Sequence, residues 1–489
     1  MSSYKSIIKS SGIIGLVQIF QILFGLIRNK AIAVVVGTKG FGVWGLYQTY
    51  IEMVTAFSSL GIDKSGIREI AKNSEDVNLT AKCIYVFRRS LILISLFTAT
   101  LSILFSKRIS NSLFNTEEHY WGIIIVSFVI LFNGISSGQI SILNGLRDLK
   151  GLAISQIIGS SIGSIATIIL VLLLGIDGIP IYLFIVGLTA VLSTWFFVRK
   201  LHLPTVIPTK KEAQQTLKSL ISLGLGFSIA GIIAALTTYL SRVYLSHAFD
   251  LNAVGIYQAS WTISNLYIGI ILTAMGVDFM PRLMKVAGND FEMNVLVNEQ
   301  MELGTLVTGI AIVAILIFSP LILQLLYSKE FIVGASIIRW QVLGVGMRVL
   351  GFPFSYAIMA KNKPYTYIFV QSIIWFSDYF LLILFSKLIG FNGLGINYFV
   401  AYILYILVTW YVCFKLFHFS PSNLLKKIVT ISYSFIFIVW AITSFLSEIY
   451  CWLFGSIIIL IMAFWINNML KKQMNISVVL ILKNKLIGK

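Results

Sequence analysis

SGIIGLVQIFQILFGLIRNKAIAVVV, residues 11–36, decides what kind of protein this is. The stretch is apolar, and about 20 residues at 1.5 Å each suffice to cross a hydrocarbon core of about 30 Å as a helix. It also carries Arg28, although an arginine at the centre of a spanning helix costs about 2.5–3.5 kcal/mol on insertion scales. Ser11, Gln18, Gln21, Gly25 and Arg28 recur at steps of seven, three, four and three, so all five share one helical face. A second stretch, SLISLGLGFSIAGIIAALTTYLSRVYLS (residues 219–246), repeats the design, with Gly224, Ser228, Gly231, Ala235, Thr238 and Arg242 on one face. Two polar walls with cationic ends imply a shared cavity.

The rest of the chain extends this pattern. Of 489 residues 58% are hydrophobic and only 11% charged, whereas a water-soluble domain carries about 25% charge. The mean hydropathy of +0.91 agrees. The class is therefore an all-α polytopic membrane protein, with about fourteen expected transmembrane helices in two pseudo-symmetric six-helix lobes plus two extra C-terminal helices. The expected divisions are residues 1–200 for the first lobe, 201–218 for a cytoplasmic linker containing Pro204 and Pro208, 219–415 for the second lobe, and 416–489 for two additional helices and a tail. With the amino terminus inside, 27 of the 37 Lys and Arg fall on the cytoplasmic side, five on the other and five within spans. That asymmetry predicts both termini in the cytoplasm. It also explains the net charge of +18 as topology, with membrane lipids as partners and no nucleic acid. Lys5 and Lys9 run directly into a full-length span without a cleavage pattern, so no removable signal is expected. The tail from Asn475 to Lys489 is expected to lie on the inner surface.

An internal repeat supports two lobes. Gly45-Leu46-Tyr47-Gln48 opens the second span and Gly255-Ile256-Tyr257-Gln258 the eighth, an offset of 210. Gln48, Glu52, Thr55 and Ser59 share one face, and Gln258, Thr262, Asn265 and Gly269 share the matching face. Six helices per repeat means parallel halves, an arrangement in which substrate binds between them.

Candidate substrate-binding residues follow from this placement: Arg28, Arg242 and Arg348 as lumen charges, with Gln18, Gln21, Gln48, Gln258 and Asn265 as polar lining. Arginine offers a planar donor fork that suits phosphate oxygens. Pro353, five residues after Arg348, is expected to interrupt its helix and serve as a gate element together with Asp278. Glu52 and Asp378 are intramembrane carboxylates whose protonation can follow conformational state, so they are the candidates for coupling to a proton or sodium gradient. The alternative for each charge is a fixed salt bridge or a side chain reaching the headgroups. Cys83, Cys413 and Cys451 are isolated, and His119, His202, His247 and His418 lack metal-ligand spacing. No catalytic residue, metal or cofactor is expected, and the chain does not read as an enzyme.

Several motifs resemble one family. Arg28 followed by Gly40-Phe41-Gly42, then Leu60-Gly61-Ile62 through Gly66-Ile67-Arg68-Glu69-Ile70-Ala71, Asn144-Gly145-Leu146-Arg147 with Ala153, and Val254-Gly255-Ile256-Tyr257 are similar to Wzx-type flippases. These are the polysaccharide transporters of the multidrug/oligosaccharidyl-lipid/polysaccharide exporter superfamily. The resemblance implies alternating access and transfer of an undecaprenyl-pyrophosphate-linked oligosaccharide, such as an O-antigen unit, from the inner to the outer leaflet of the bacterial cytoplasmic membrane. It also suggests a polysaccharide polymerase and a chain-length regulator as partners. The alternatives are a lipid II-type flippase, a multidrug cation antiporter of the same superfamily, and a membrane-embedded glycan polymerase or acyltransferase. Five bases against three acids within the spans argue against a cation carrier. The short external connections leave no room for an enzymatic domain.

Overall fold

The computed structural model describes residues 2–474, whose regular structure is entirely helical. The tail from Asn475 to Lys489 lies outside the described residues. In chain order the helices are α1 (Ser2–Ser59), α2 (Ile62–Lys72), α3 (Val77–Leu104), α4 (Ser106–Phe114), α5 (Tyr120–Gly145), α6 (Leu149–Leu174), α7 (Ile179–Arg199) and α8 (Lys210–Ala248). They continue as α9 (Leu251–Lys285), α10 (Asp290–Leu326), α11 (Ala335–Ala360), α12 (Pro364–Ile389), α13 (Ile396–Phe417), α14 (Asn423–Phe445) and α15 (Glu448–Met474). Short 3-10 turns at Lys329–Gly334 and Gly390–Gly395 precede α11 and α13. Two compact units result, one from Met1–Gln258 with Leu326–Glu330, the other from Ala259–Leu325 with Phe331–Lys489.

Twelve stretches among the described residues are long and apolar enough to cross a membrane. Two of them, Val17–Ser59 and Pro364–Phe417, run 43 and 54 residues, or about 65 and 80 Å if helical throughout. Both are broken. Gly37 adopts φ 64° and ψ −166° inside α1, a conformation open to glycine because it has no Cβ, and the Gly390–Gly395 turn separates α12 from α13. The breaks fall where the sequence places the ends of adjacent spans.

Capping chemistry fixes other boundaries. Helix α8 begins at Lys210, nine residues before its apolar run, because Thr209 and Glu212 form a capping box: Glu212 N donates to Thr209 Oγ1 and Thr209 N to Glu212 Oε2 (2.8 Å). The connection between α3 and α5 contains α4. Its Ser110, Leu113 and Phe114 are buried while polar positions face outward, a short amphipathic pattern that a search for membrane spans passes over.

Within the first unit, polar side chains join helices where no water competes. Tyr50 of α1 donates to Ser102 of α3 (2.7 Å) and Thr194 of α7 to Gln139 of α5 (2.5 Å). Glycines allow the closest approaches. A Cβ on Gly42 would lie 1.9 Å from Leu251 O, and one on Gly255 2.0 Å from Thr38 O. An apolar core around Ile62, Phe87, Leu143 and Leu220 packs α2 against α3, α5 and α8.

One expectation is corrected. Pro353 does not interrupt its helix: α11 runs from Ala335 to Ala360 with Pro353 buried inside. Proline removes a single helical hydrogen bond, and the surrounding packing holds the helix through that gap.

Candidate functional site

Arg28 lies on the first half of α1, before the Gly37 break, and opens into a cavity of about 140 Å³ inside the first unit. Gln48, Asn133, Thr167 and Tyr182 supply its other polar walls. Tyr182 is 1% exposed. Neither Arg28 Nε nor the Tyr182 hydroxyl has a hydrogen-bond partner among the described residues, although both atoms are buried. A buried donor without a partner costs about 1–3 kcal/mol, so this pair is a polar surface that a ligand can satisfy.

Gln48 donates to Glu52 (2.9 Å). Glu52 is exposed and opens into a recess of about 330 Å³, also lined by Thr55, Ser59, Asn133, Ser137 and Ser228. Asn133 borders both spaces. The α1 face predicted from sequence thus borders Ser228 of α8, which the sequence also singled out, and side chains of α5, α6 and α7, which it did not. Asn133, Thr167 and Tyr182 carry no motif. Their signal would have been a polar residue isolated within an apolar span.

Arg242 of α8 is 2% exposed. Its Nε and Nη2 donate to Gln258 Oε1 (3.2 and 3.1 Å), and its guanidinium lies 4.7 Å from the centre of the Tyr257 ring. The repeat therefore has a counterpart in contacts. Gln48 borders the Arg28 cavity, and Gln258, 210 residues later, holds Arg242.

The second unit places Arg348 of α11 against Asn265 of α9, with Nη1 donating to Asn265 Oδ1 (3.0 Å). Tyr398 donates to the same oxygen (2.8 Å). A ladder of phenol rings climbs α13 from there: Tyr398 and Tyr402 have ring centres 4.7 Å apart, and Tyr402 and Tyr405 5.6 Å. Tyr405 also shares a hydrogen bond with Ser355. Tyr398, Tyr402 and Tyr405 follow helical spacing, a signal present in the sequence but hidden among the aromatics of an apolar span. Trp261 packs edge-on against Tyr398 (5.1 Å).

Asp378 of α12 is buried and accepts from Asn397 Nδ2 of α13 (2.6 Å). The other amide atom, Asn397 Oδ1, is buried without a partner among the described residues. The remaining candidates are more open. Gln18 is exposed and Gln21 half-buried on α1. Asp278 is largely exposed and pairs with Arg282 one turn on (3.4 Å), which also approaches Glu299 (3.7 Å). Pro353 lies within the same helix as Arg348.

Helices of this length and apolar character, interrupted at glycine, define a polytopic membrane fold. The chain is similar in structure to a lipid II flippase, MurJ, in an inward closed conformation, with a TM-score of 0.73 at 16% identity, covering 94% of this chain and 99% of that one. An inward-facing multidrug MATE transporter of the MOP superfamily matches with a TM-score of 0.68 at 18% identity, over 82% of this chain and 98% of the other. By sequence, residues 7–286 match the polysaccharide biosynthesis protein family, and the chain belongs to it. A lipid III flippase of Escherichia coli (strain K12) is 23% identical over 392 residues, 78% of this chain and 92% of that protein. A protein of Shigella flexneri described as a candidate O-antigen transporter is 26% identical over 338 residues, 67% of this chain and 78% of that protein. The resemblance drawn from Arg28, Gly40-Phe41-Gly42 and the other motifs is borne out.

Proposed function

We propose that this protein is a flippase for undecaprenyl-pyrophosphate-linked oligosaccharide, carrying a polysaccharide repeat unit from the inner to the outer leaflet of the bacterial cytoplasmic membrane by alternating access through a cationic lumen. The observation that carries this reading is the Arg28–Tyr182 cavity, where a guanidinium nitrogen and a phenol hydroxyl stand without partners among the described residues, inside a membrane-spanning unit. A pyrophosphate supplies oxygens for both donors, and arginine matches its geometry in a way lysine cannot. Arg242 and Arg348 already hold amide oxygens. Gln258 and Asn265 orient the two guanidiniums. Half-buried Trp261 offers a flat apolar face of the kind sugars stack on, whereas Tyr398, Tyr402 and Tyr405 are buried and brace Asn265 and Ser355. Names of the sequence relatives favour lipid-linked glycans over drug cations, as do the buried arginines. Asp278 and Pro353 are assigned to gating, and a polymerase and chain-length regulator are the proposed partners.

Glu52 and Asp378 are assigned to coupling with a proton or sodium gradient. Glu52 faces an open recess, and Asn397 Oδ1 beside Asp378 is an unsatisfied acceptor, the kind of oxygen a small cation or a protonated carboxyl would engage.

The test is reconstitution of the purified protein in vesicles with fluorescent undecaprenyl-pyrophosphate oligosaccharide and a membrane-impermeant quencher that reports leaflet. Protein-dependent transfer that Arg28→Ala suppresses supports the proposal. Transfer of a lipophilic cation instead, improved by Arg28→Glu, would replace it with the antiporter reading.

A further inference from the structure

A second cavity lies away from the buried arginines, at the end of the first unit that the Lys and Arg distribution predicts to be cytoplasmic. A cavity of about 370 Å³ is walled on one side by Tyr85, Arg88, Arg89, Ile92 and Leu93 of α3. The segment after α7, through Leu203, Pro204 and Thr205, closes the other side. Arg88 and Arg89 are exposed, and no ion pair engages either among the described residues. Arg89 Nη1 donates to the Tyr85 hydroxyl (3.0 Å), which fixes one guanidinium at the mouth. One turn deeper the wall becomes apolar, with Ile92 and Leu93 39% and 54% exposed.

We infer that this cavity binds the headgroup of an anionic phospholipid of the inner leaflet, phosphate on Arg88 and Arg89 and acyl chain along Ile92 and Leu93. The combination of charge and exposed hydrocarbon favours a lipid over a soluble anion, which has no use for the apolar wall. The lining contains no carboxylate and no amide side chain. An ethanolamine or choline headgroup would therefore bring its cation against two guanidiniums without compensation, and an oligosaccharide would find only Tyr85 and Thr205. Each basic residue near an anionic surface contributes about 1 kcal/mol, so the two together select the anionic lipid by about 30-fold. A lipid held here ties α3 to the segment leading into α8.

The full-length protein in nanodiscs of zwitterionic lipid, titrated with spin-labelled phosphatidylglycerol and separately with spin-labelled phosphatidylcholine, tests this. The wild type is expected to immobilise phosphatidylglycerol preferentially, and Arg88→Gln with Arg89→Gln to reduce that preference at least tenfold. The control is Lys426→Gln with Lys427→Gln, which removes the same charge from another exposed pair and is expected to leave the preference intact. An equal loss in the control would overturn the site in favour of general surface attraction. Displacement by millimolar inorganic phosphate would overturn the lipid in favour of a soluble anion. Because no glycolipid is present, failure here does not bear on the flippase proposal.

Discussion

Arg28 and Tyr182 make opposite demands on stability and transport. Among the described residues the Tyr182 hydroxyl is buried without a partner, so Tyr182→Phe removes a desolvated group worth about 1–3 kcal/mol. Its melting temperature is expected to hold or rise. If the hydroxyl donates to substrate phosphate, the same variant slows glycolipid transfer, and a hydrogen bond to a charged group is worth about 1.5–3 kcal/mol, or about 10–150-fold. Thermal unfolding and leaflet transfer measured on one preparation separate the two effects. A fall in both would return Tyr182 to an ordinary packing role. Arg28→Lys keeps the charge but loses the planar fork, so it should restore only part of what Arg28→Ala removes. Gly42 and Gly255 are a different case, since a methyl on either meets backbone oxygen at about 2 Å. Gly42→Ala or Gly255→Ala is expected to cost about 1–3 kcal/mol by overpacking, read as a lowered unfolding midpoint. The double variant should cost less than the sum, because both act on one contact. Gly255 was legible as part of the duplicated Gly-x-Tyr-Gln segment, but its function was not. Only the backbone of Thr38, far off in sequence, shows why that position takes glycine.

Helices in this protein end by chemistry that the hydropathy of their spans conceals. The turn from α5 to α6 lies in the Asn144-Gly145-Leu146-Arg147 motif, where Arg147 adopts φ 59°. Asp148 N donates to Leu143 O (2.9 Å) and Arg147 N to Asn144 O (3.0 Å), the paired bonds of a Schellman termination with arginine where glycine usually stands. Asp148 then caps α6 through Gly151 N (2.9 Å). Asp148→Ala is accordingly expected to cost about 1 kcal/mol of stability, and Arg147→Gly to gain about 1 kcal/mol by removing the left-handed penalty, both measured by unfolding. At the start of α8, Glu212 accepts from Lys82 Nζ of α3 (2.6 Å) and from Thr209. The Lys82 ammonium first, and the Thr209 hydrogen bonds next, hold the Glu212 carboxyl down to about 2. A carboxyl with a depressed folded value contributes its full stability above the unfolded value, about 4.3, and loses it as pH falls toward 2. The stability difference between wild type and Glu212→Gln should therefore be constant above about pH 5 and shrink as the pH is lowered toward 2. A constant difference across that window would mean that the carboxylate charge contributes nothing. The Thr209-to-Glu212 spacing of the capping box lies in the sequence but was not read from it, and the Lys82 partner, 130 positions away, has no local signal.

The whole molecule shows why charge was the more legible property. Membrane insertion is decided by hydrophobic length and by flanking Lys and Arg, both local in sequence. Helix class, the two-arginine design and the duplicated polar face could all be read for that reason. The cavity around Arg28 could not, because Asn133, Thr167 and Tyr182 reach it from three other helices. The same reasoning yields a topology that can be measured. The stretches Val17–Ser59 and Pro364–Phe417 are each long enough for two crossings, and the charge distribution predicts that each crosses twice, with both termini in the cytoplasm. Cys83, Cys413 and Cys451 are buried, so single cysteines can be introduced at exposed positions after replacing them with small residues. Ser74, Asn289 and Ser420 are expected to resist a membrane-impermeant maleimide applied to intact cells. Glu117, Asn392 and Glu448 are expected to react. Asn392 lies in the Gly390–Gly395 turn between α12 and α13, and Ser420 follows α13. Opposite labelling of these two positions means that α13 crosses the membrane. If instead both react or neither does, α12 and α13 do not form two crossings, and the predicted cytoplasmic placement of the carboxyl terminus falls with them.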